Sequence, residues 1–111
     1  MNTITLTGRL TKDPEPGSTR GGTSVCELRI ALNDRNGTVY VPVTAYGTLA
    51  ETSARYLTKG RLVAVTGRLA YDEWTTANDE YRSRLYAIAR AIDFLDAANV
   101  PAGGSDEEDQ R

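Results

Sequence analysis

The stretch that decides the fold runs from residue 39 to residue 57 and reads VYVPVTAYGTLAETSARYL. Its first part alternates, which predicts a half-buried strand with an inward set of Val39, Val41, Val43 and Ala45. After Tyr46 the period becomes helical, and Thr48 and Glu51 have the spacing of a capping box. Gly60 is a natural helix stop. The stretch therefore predicts a strand that leads directly into a short helix, about residues 48–58.

Alternating segments flank this stretch on both sides. Residues 3–10 and 26–32 predict two earlier strands, with inward sets of Ile4, Leu6, Gly8 and Leu10 and of Cys26, Leu28, Ile30 and Leu32. Residues 13–22 are predicted to be a loop, and Asn36-Gly37 a hairpin turn. Strands are predicted again at 61–71 and about 81–93, joined by a polar loop at 72–80.

The order of these elements is three strands, one short helix and two strands. It predicts a mainly β fold, a five-stranded Greek-key OB-fold barrel with the helix between strands 3 and 4. An SH3-like barrel is the alternative, but it has no comparable helix at that point.

The chain divides by composition into one domain and a tail. Residues 1–96 fit a single small domain, whereas residues 97–111 are linker-like and then acidic, and we expect this tail to be disordered. The tail carries four carboxylates and one arginine, a net of −3 out of the total of −2, which leaves +1 for residues 1–96. A near-neutral domain binds a polyanion only if its basic groups line one groove.

Residue usage argues against whole classes of function. Histidine is absent and Cys26 is the single cysteine, so the usual nucleophile–histidine pairs lack their base and a disulfide lacks its second half. Zinc sites draw mainly on those two residue types. We therefore expect no enzyme and no cofactor. No apolar run is long enough to span a bilayer and no secretory signal is visible, so we expect a cytoplasmic protein without a membrane partner.

Three aromatic residues are candidates for ligand contact. Tyr40 and Tyr46 share the outward parity of one strand, about 20 Å apart if the strand is straight, although Pro42 predicts an edge or a bulge between them. Trp74 lies in the polar loop, where there is no core to fill. Such rings are suited to stacking on nucleic acid bases. The alternative for Trp74 is packing on its own hairpin or on a neighbouring subunit.

Basic residues accompany these rings in the sequence. They are Arg35, Lys59, Arg61, Arg82 and Arg84. Arg82 and Arg84 share parity, so both face one side of the last strand. Each of the five is a candidate phosphate contact, and the alternative for each is a solvated surface charge.

Residues 8–15, 45–51 and 56–69 together resemble the bacterial single-stranded DNA-binding protein family. The third segment resembles its Tyr-Leu-x-Lys-Gly sequence, which enters a Gly-x-Leu strand, and the likeness covers about residues 2–95. The resemblance implies a homotetramer of OB-fold domains. It also implies base stacking by Trp74, Tyr40 and Tyr46, the same three residues that were selected above as candidates for ligand contact.

The sequence departs from the family pattern at three points. The short turn at 33–37 has no tryptophan, and Asp72 and Glu73 replace basic residues before Trp74. Both differences predict weaker binding. The tail lacks the acidic and apolar tip through which family members recruit replication and repair enzymes, so we do not expect tail-mediated partners.

The resulting prediction is sequence-tolerant binding and protection of single-stranded DNA in replication, recombination or repair, by a nucleoid-associated cytoplasmic protein. Two alternatives stay open. One is an OB-fold that binds RNA, which differs at contacts to the 2′-hydroxyl. The other is a primosome-type adaptor whose outward tyrosines bind a protein.

Overall fold

A computed structural model describes residues 1–95, which form six strands and one helix. The strands are β1 (Ile4–Leu10), β2 (Glu15–Ser18), β3 (Ser24–Asp34), β4 (Gly37–Tyr46), β5 (Leu62–Thr75) and β6 (Tyr81–Phe94). Helix α1 (Thr48–Tyr56) lies between β4 and β5. The predicted tail at 97–111 lies outside the described residues. Within residues 1–95, no helix has both the length and the apolar character needed to cross a membrane.

Five of the strands close into a barrel. The sheet order is β1-β5-β6-β4-β3-β2, and β1 also pairs with β3, at Arg9–Ala31 and Leu10–Ile30. That second pairing closes the ring, while β2 adds to β3 from outside. All pairings are antiparallel except the one between β4 and β6. The predicted OB-fold barrel is confirmed, with the helix between its third and fourth barrel strands.

The inward residues predicted from alternation form most of the core. Buried members include Leu10, Cys26, Leu28, Ile30, Val43 and Ala45, to which β5 adds Val63 and Val65. Val39 is the exception, because its side chain is 52 % exposed. Val39 lies where the β3–β4 hairpin extends past the closed part of the barrel. A side chain with inward parity there is not covered by the barrel core.

A glycine lets β5 and β6 approach closely at one point. The register shifts there, since Thr66 pairs with Ala91 whereas Gly67 pairs with Ala89, which leaves Arg90 as the extra residue of a β-bulge. A Cβ on Gly67 would lie 2.0 Å from the Ile88 carbonyl oxygen. Only glycine fits this approach.

The predicted capping box of the helix is wrong. Gly47 is the N-cap, with φ of 68°, and no side chain caps the helix. Glu51 instead accepts a hydrogen bond from the Ser24 hydroxyl at 2.9 Å, because β3 passes beside the first turn. The helix ends at Tyr56, two residues earlier than predicted, and Leu57 continues in extended backbone into the core.

Two predicted loops contain strands. Residues 72–75, predicted to be loop, continue β5, so Trp74 lies on a strand and the turn is confined to residues 76–80. Residues 15–18 pair with β3 as β2 within the predicted 13–22 loop. The predicted bulge at Pro42 is absent, since the β3–β4 register is continuous there. Pro42 comes just before the two residues of β4 that pair with β6, so on the side facing β6 it lies at an unpaired edge of the strand.

Candidate nucleic-acid interface

Side chains that alternate with the core on β3, β4, β5 and β6 point away from the barrel and share one surface, which we call the outer face. Its members relevant here are Glu27, Arg29, Tyr40, Pro42, Thr44, Tyr46, Asp72, Trp74, Arg82, Arg84 and Tyr86. Cross-strand pairing aligns them, since Arg29 lies opposite Pro42, Arg84 opposite Asp72 and Arg82 opposite Trp74. The barrel therefore fixes the relative positions of rings and charges.

The three aromatic residues predicted from the sequence lie on the outer face. Tyr40 is 51 % exposed, Tyr46 43 % and Trp74 46 %. Trp74 lies on β5, where pairing with Arg82 fixes the side of the hairpin from which the indole projects. Exposed rings held on a rigid sheet are suited to stack on bases.

An arginine missed in the sequence reading supports the first tyrosine. The Arg29 guanidinium carbon lies 4.3 Å from the centroid of the Tyr40 ring, within the range of a cation–π contact. It covers one side of the ring and brings a positive charge to the same place. The signal in the sequence was the parity of Arg29 with Glu27, both opposite the buried residues of β3.

A second arginine–tyrosine stack lies on β6. The Arg84 guanidinium carbon is 4.4 Å from the Tyr86 ring centroid, and Arg84 also pairs with Glu27, Nη1 to Oε1, at 3.8 Å. Tyr86 is 8 % exposed. Burial raises the pKa of its hydroxyl, and so does the neighbouring Asp72 carboxylate, to which the hydroxyl donates a hydrogen bond. Sequence reading missed Tyr86, although it shares parity with Arg82 and Arg84.

The remaining predicted cations lie at three different places. Arg82 joins the outer face and donates to the Glu80 carboxylate. Arg35 is in the turn between β3 and β4. Lys59 and Arg61 lie between α1 and β5, where the Lys59 backbone N–H donates to Asp13 and the Arg61 guanidinium donates to the Tyr56 carbonyl. The structure thus brings Arg82 and Arg84 together with the rings and anchors Lys59 and Arg61 at the end of the helix.

The other side of the β5–β6 hairpin has a different character. This reverse face consists of Leu69, Tyr71, Glu73, Tyr81, Ser83 and Leu85, and none of these six residues is basic. A hydrogen bond from Tyr81 lowers the pKa of Glu73, and a smaller contribution comes from a hydrogen bond from Tyr71. The bond to Glu73 also raises the pKa of Tyr81. Aromatic rings occur on both sides of the hairpin, whereas Arg82 and Arg84 both lie on its outer face.

Comparison with known proteins agrees with this arrangement. Residues 1–95 match the model of the single-strand binding protein family. A single-stranded DNA-binding protein of Clostridium tetani is 34 % identical over 112 residues, which cover 95 % of this chain and 77 % of that protein. One of Thermotoga maritima is 34 % identical over 118 residues, covering 98 % and 84 %. With a barrel of this topology and a match over the whole described domain, the chain belongs to the single-strand binding protein family.

Proposed function

We propose that this chain binds single-stranded DNA with little sequence preference, stacking bases on Tyr40, Tyr46 and Trp74 while arginines of the outer face contact phosphates. The observation that carries the proposal is the difference in charge between the two faces of the β5–β6 hairpin. Exposed rings and arginines share the outer face, whereas the reverse face has rings and no arginine or lysine. Family membership supports the same function.

Stacking supplies affinity without reading the base. Each base on an aromatic ring contributes about 1–3 kcal/mol, and every base has a π-face. Phosphate contacts from Arg29, Arg82 and Arg84 would add affinity that is equally indifferent to sequence. A paired duplex hides its base faces, so these rings favour unpaired strands.

The biological role follows from this chemistry. A protein that covers unpaired bases protects the strands exposed during replication, recombination and repair, on nucleoid DNA in the cytoplasm. Members of the family typically form homotetramers, so several outer faces would be available to one strand. No catalytic step is part of this role.

A fluorescence titration tests the proposal. Indole emission from Trp74, the single tryptophan, should fall on addition of oligo-dT, and duplex DNA of equal length should compete poorly. Replacing Trp74 or Tyr46 by Ala should weaken binding by about 1–3 kcal/mol each, read by anisotropy of labelled oligo-dT. Tyr81→Ala is the matched control, because it removes a 63 % exposed ring from the reverse face.

Two results would contradict the proposal. Absence of binding to any single strand at low salt would reject the function. Tighter binding to oligo-rU than to oligo-dT would make the chain an RNA-binding protein on the same rings.

A further inference from the structure

We infer that Glu27 is an internal competitor for DNA phosphate: its ion pair with Arg84 closes the outer face between Tyr40 and Tyr46 and must open when a strand binds. This inference rests on the proposed function and names a residue that regulates affinity at the same site. No ligand contact is needed from Glu27 itself, because it acts through Arg84.

The ion pair crosses a strand. Glu27 is on β3 and Arg84 is on β6, and β4 lies between those two strands in the sheet. A contact of 3.8 Å between their side chains therefore passes over the outer side of β4. Along β4, Thr44 is paired with Glu27 on one side and with Ile88 of β6 on the other.

The burial of Thr44 agrees with an ion pair that passes over the outer side of β4. Thr44 has the same outward parity as Tyr40 and Tyr46, yet it is 3 % exposed whereas they are 51 % and 43 % exposed. The two rings thus flank a covered segment of β4. A strand that stacks on both tyrosines has to pass over this segment, beside the Glu27–Arg84 bridge.

Arg84 is already oriented for a phosphate. Its guanidinium lies over the Tyr86 ring, and the Tyr86 hydroxyl is hydrogen-bonded to Asp72, directly across the hairpin from Arg84. These contacts hold the guanidinium in place whether its anionic partner is a carboxylate or a phosphate. Glu27 lies 3.8 Å from Nη1 of this guanidinium, so its carboxylate competes for the same cation that a phosphodiester would contact.

The bridge is weak enough to open. The Arg84 and Glu27 side chains are 35 % and 44 % exposed, so water and salt screen the pair. Exposed pairs of this type contribute less than about 1 kcal/mol. A phosphate can therefore replace Glu27 at little cost, but the displaced carboxylate still repels it. Glu27 reduces both the affinity and the net number of phosphates that binding neutralises.

Glu27→Gln tests this inference, since it removes the charge and keeps the shape. We expect oligo-dT binding to tighten by about two- to fivefold at low salt, a factor set by the strength of an exposed pair. The slope of log K against log salt should steepen by up to about 0.7, the value for one additional phosphate.

Glu15→Gln is the matched control. Glu15 lies directly opposite Glu27 across the β2–β3 pair, and it pairs with Lys12 at 3.2 Å instead of with an arginine of the outer face. The net charge changes equally in the two variants, so a long-range effect would appear in both. We expect the affinity of Glu15→Gln to stay near that of the unaltered protein.

A double variant separates the bridge from other effects of Glu27. Arg84→Gln should weaken binding, and adding Glu27→Gln to it should give no gain. The inference is overturned if Glu27→Gln fails to tighten binding, if Glu15→Gln tightens it equally, or if the gain persists without Arg84. If the unaltered protein binds no single strand at any salt, the proposed function fails and this inference fails with it.

Discussion

Trp74 lies directly opposite Arg82 on the outer face of the β5–β6 hairpin. Strand pairing thus places side by side the ring that we propose to stack on a base and the cation that we propose to contact a phosphate. Arg82 is not a bare charge, however, since it donates to the Glu80 carboxylate. The same holds for Arg84, which pairs with Glu27.

Because carboxylates already offset part of the positive charge of these two arginines, we expect DNA binding to depend only weakly on salt concentration. With about three or four phosphate contacts, the slope of log K against log salt for oligo-dT should lie near −2 to −3, at about −0.7 per phosphate. Anisotropy titrations from low to moderate salt measure it. A slope steeper than about −5 would mean that further basic residues contact the strand.

Gly67→Ala should destabilise the barrel. Its Cβ would lie 2.0 Å from the Ile88 carbonyl oxygen, so β5 and β6 would have to separate at the bulge. We expect a loss of roughly 1–3 kcal/mol or more in the free energy of unfolding, measured with urea. Gly17→Ala is the control, because its Cβ would meet the Val25 side chain at an ordinary 3.6 Å. Equal stability of the two variants would contradict the close approach.

Ser53→Ala should stabilise the protein. Ser53 is fully buried on α1, and within the described residues its hydroxyl has no hydrogen-bond partner. Removing an unsatisfied buried hydroxyl should gain about 1 kcal/mol, with a rise in Tm of about 4–8 °C for a domain of this size. Ser24→Ala, which breaks the bond to Glu51, should instead lower Tm. A lower Tm for Ser53→Ala would show that its hydroxyl is satisfied.

Tyr86 should make the protein sensitive to alkali. Its pKa is raised by burial and by Asp72, so the folded state favours the protonated hydroxyl. That contribution is present below the unfolded pKa of about 10 and is lost as pH rises through the higher folded value. Urea unfolding near pH 8 and above about pH 10 should therefore show a larger loss for the unaltered protein than for Tyr86→Phe. Equal losses would contradict the assignment.

The aliphatic surface formed by the reverse face of the hairpin and the neighbouring Val39 should hold copies of the chain together. Val39, Leu69 and Leu85 are 52 %, 40 % and 57 % exposed and line one apolar groove without a charged residue. Because the family typically forms homotetramers, we expect Leu85→Asp to lower the mass measured by light scattering. Tyr56→Asp alters a similarly exposed residue on α1 and serves as the control. An unchanged mass for Leu85→Asp would exclude this surface.

Alternation predicted the barrel strands because one face of each strand is buried. Cys26, Leu28 and Ile30 show this plainly, since all three are in the core. The pattern failed at residues 72–75, where β5 continues beyond the closed barrel and both of its faces meet solvent. Polar residues there resemble a loop although the strand is fully paired with β6.

Parity found the exposed rings, but it could not find their partners. Tyr40 and Tyr46 follow from one strand, whereas the stack of Arg29 on Tyr40 depends on how β3 aligns with β4. Glu51 is a second example. Its spacing from Thr48 predicted a helix cap, but its carboxylate accepts a hydrogen bond from Ser24 on β3, which is distant in the sequence. Contacts between strands require the register, which the sequence does not display.

The parallel junction between β4 and β6 has a consequence for motion. It covers two residue pairs, Val43 with Ala87 and Thr44 with Ile88, whereas the hairpins on either side are paired along nearly their whole length. Local opening along this junction breaks few backbone hydrogen bonds, so its amides should exchange with solvent sooner than those inside either hairpin. A DNA strand held at once by Tyr46 of β4 and Trp74 of the β5–β6 hairpin would fasten the two halves together. Bound DNA would then slow the local opening of the barrel at the β4–β6 junction.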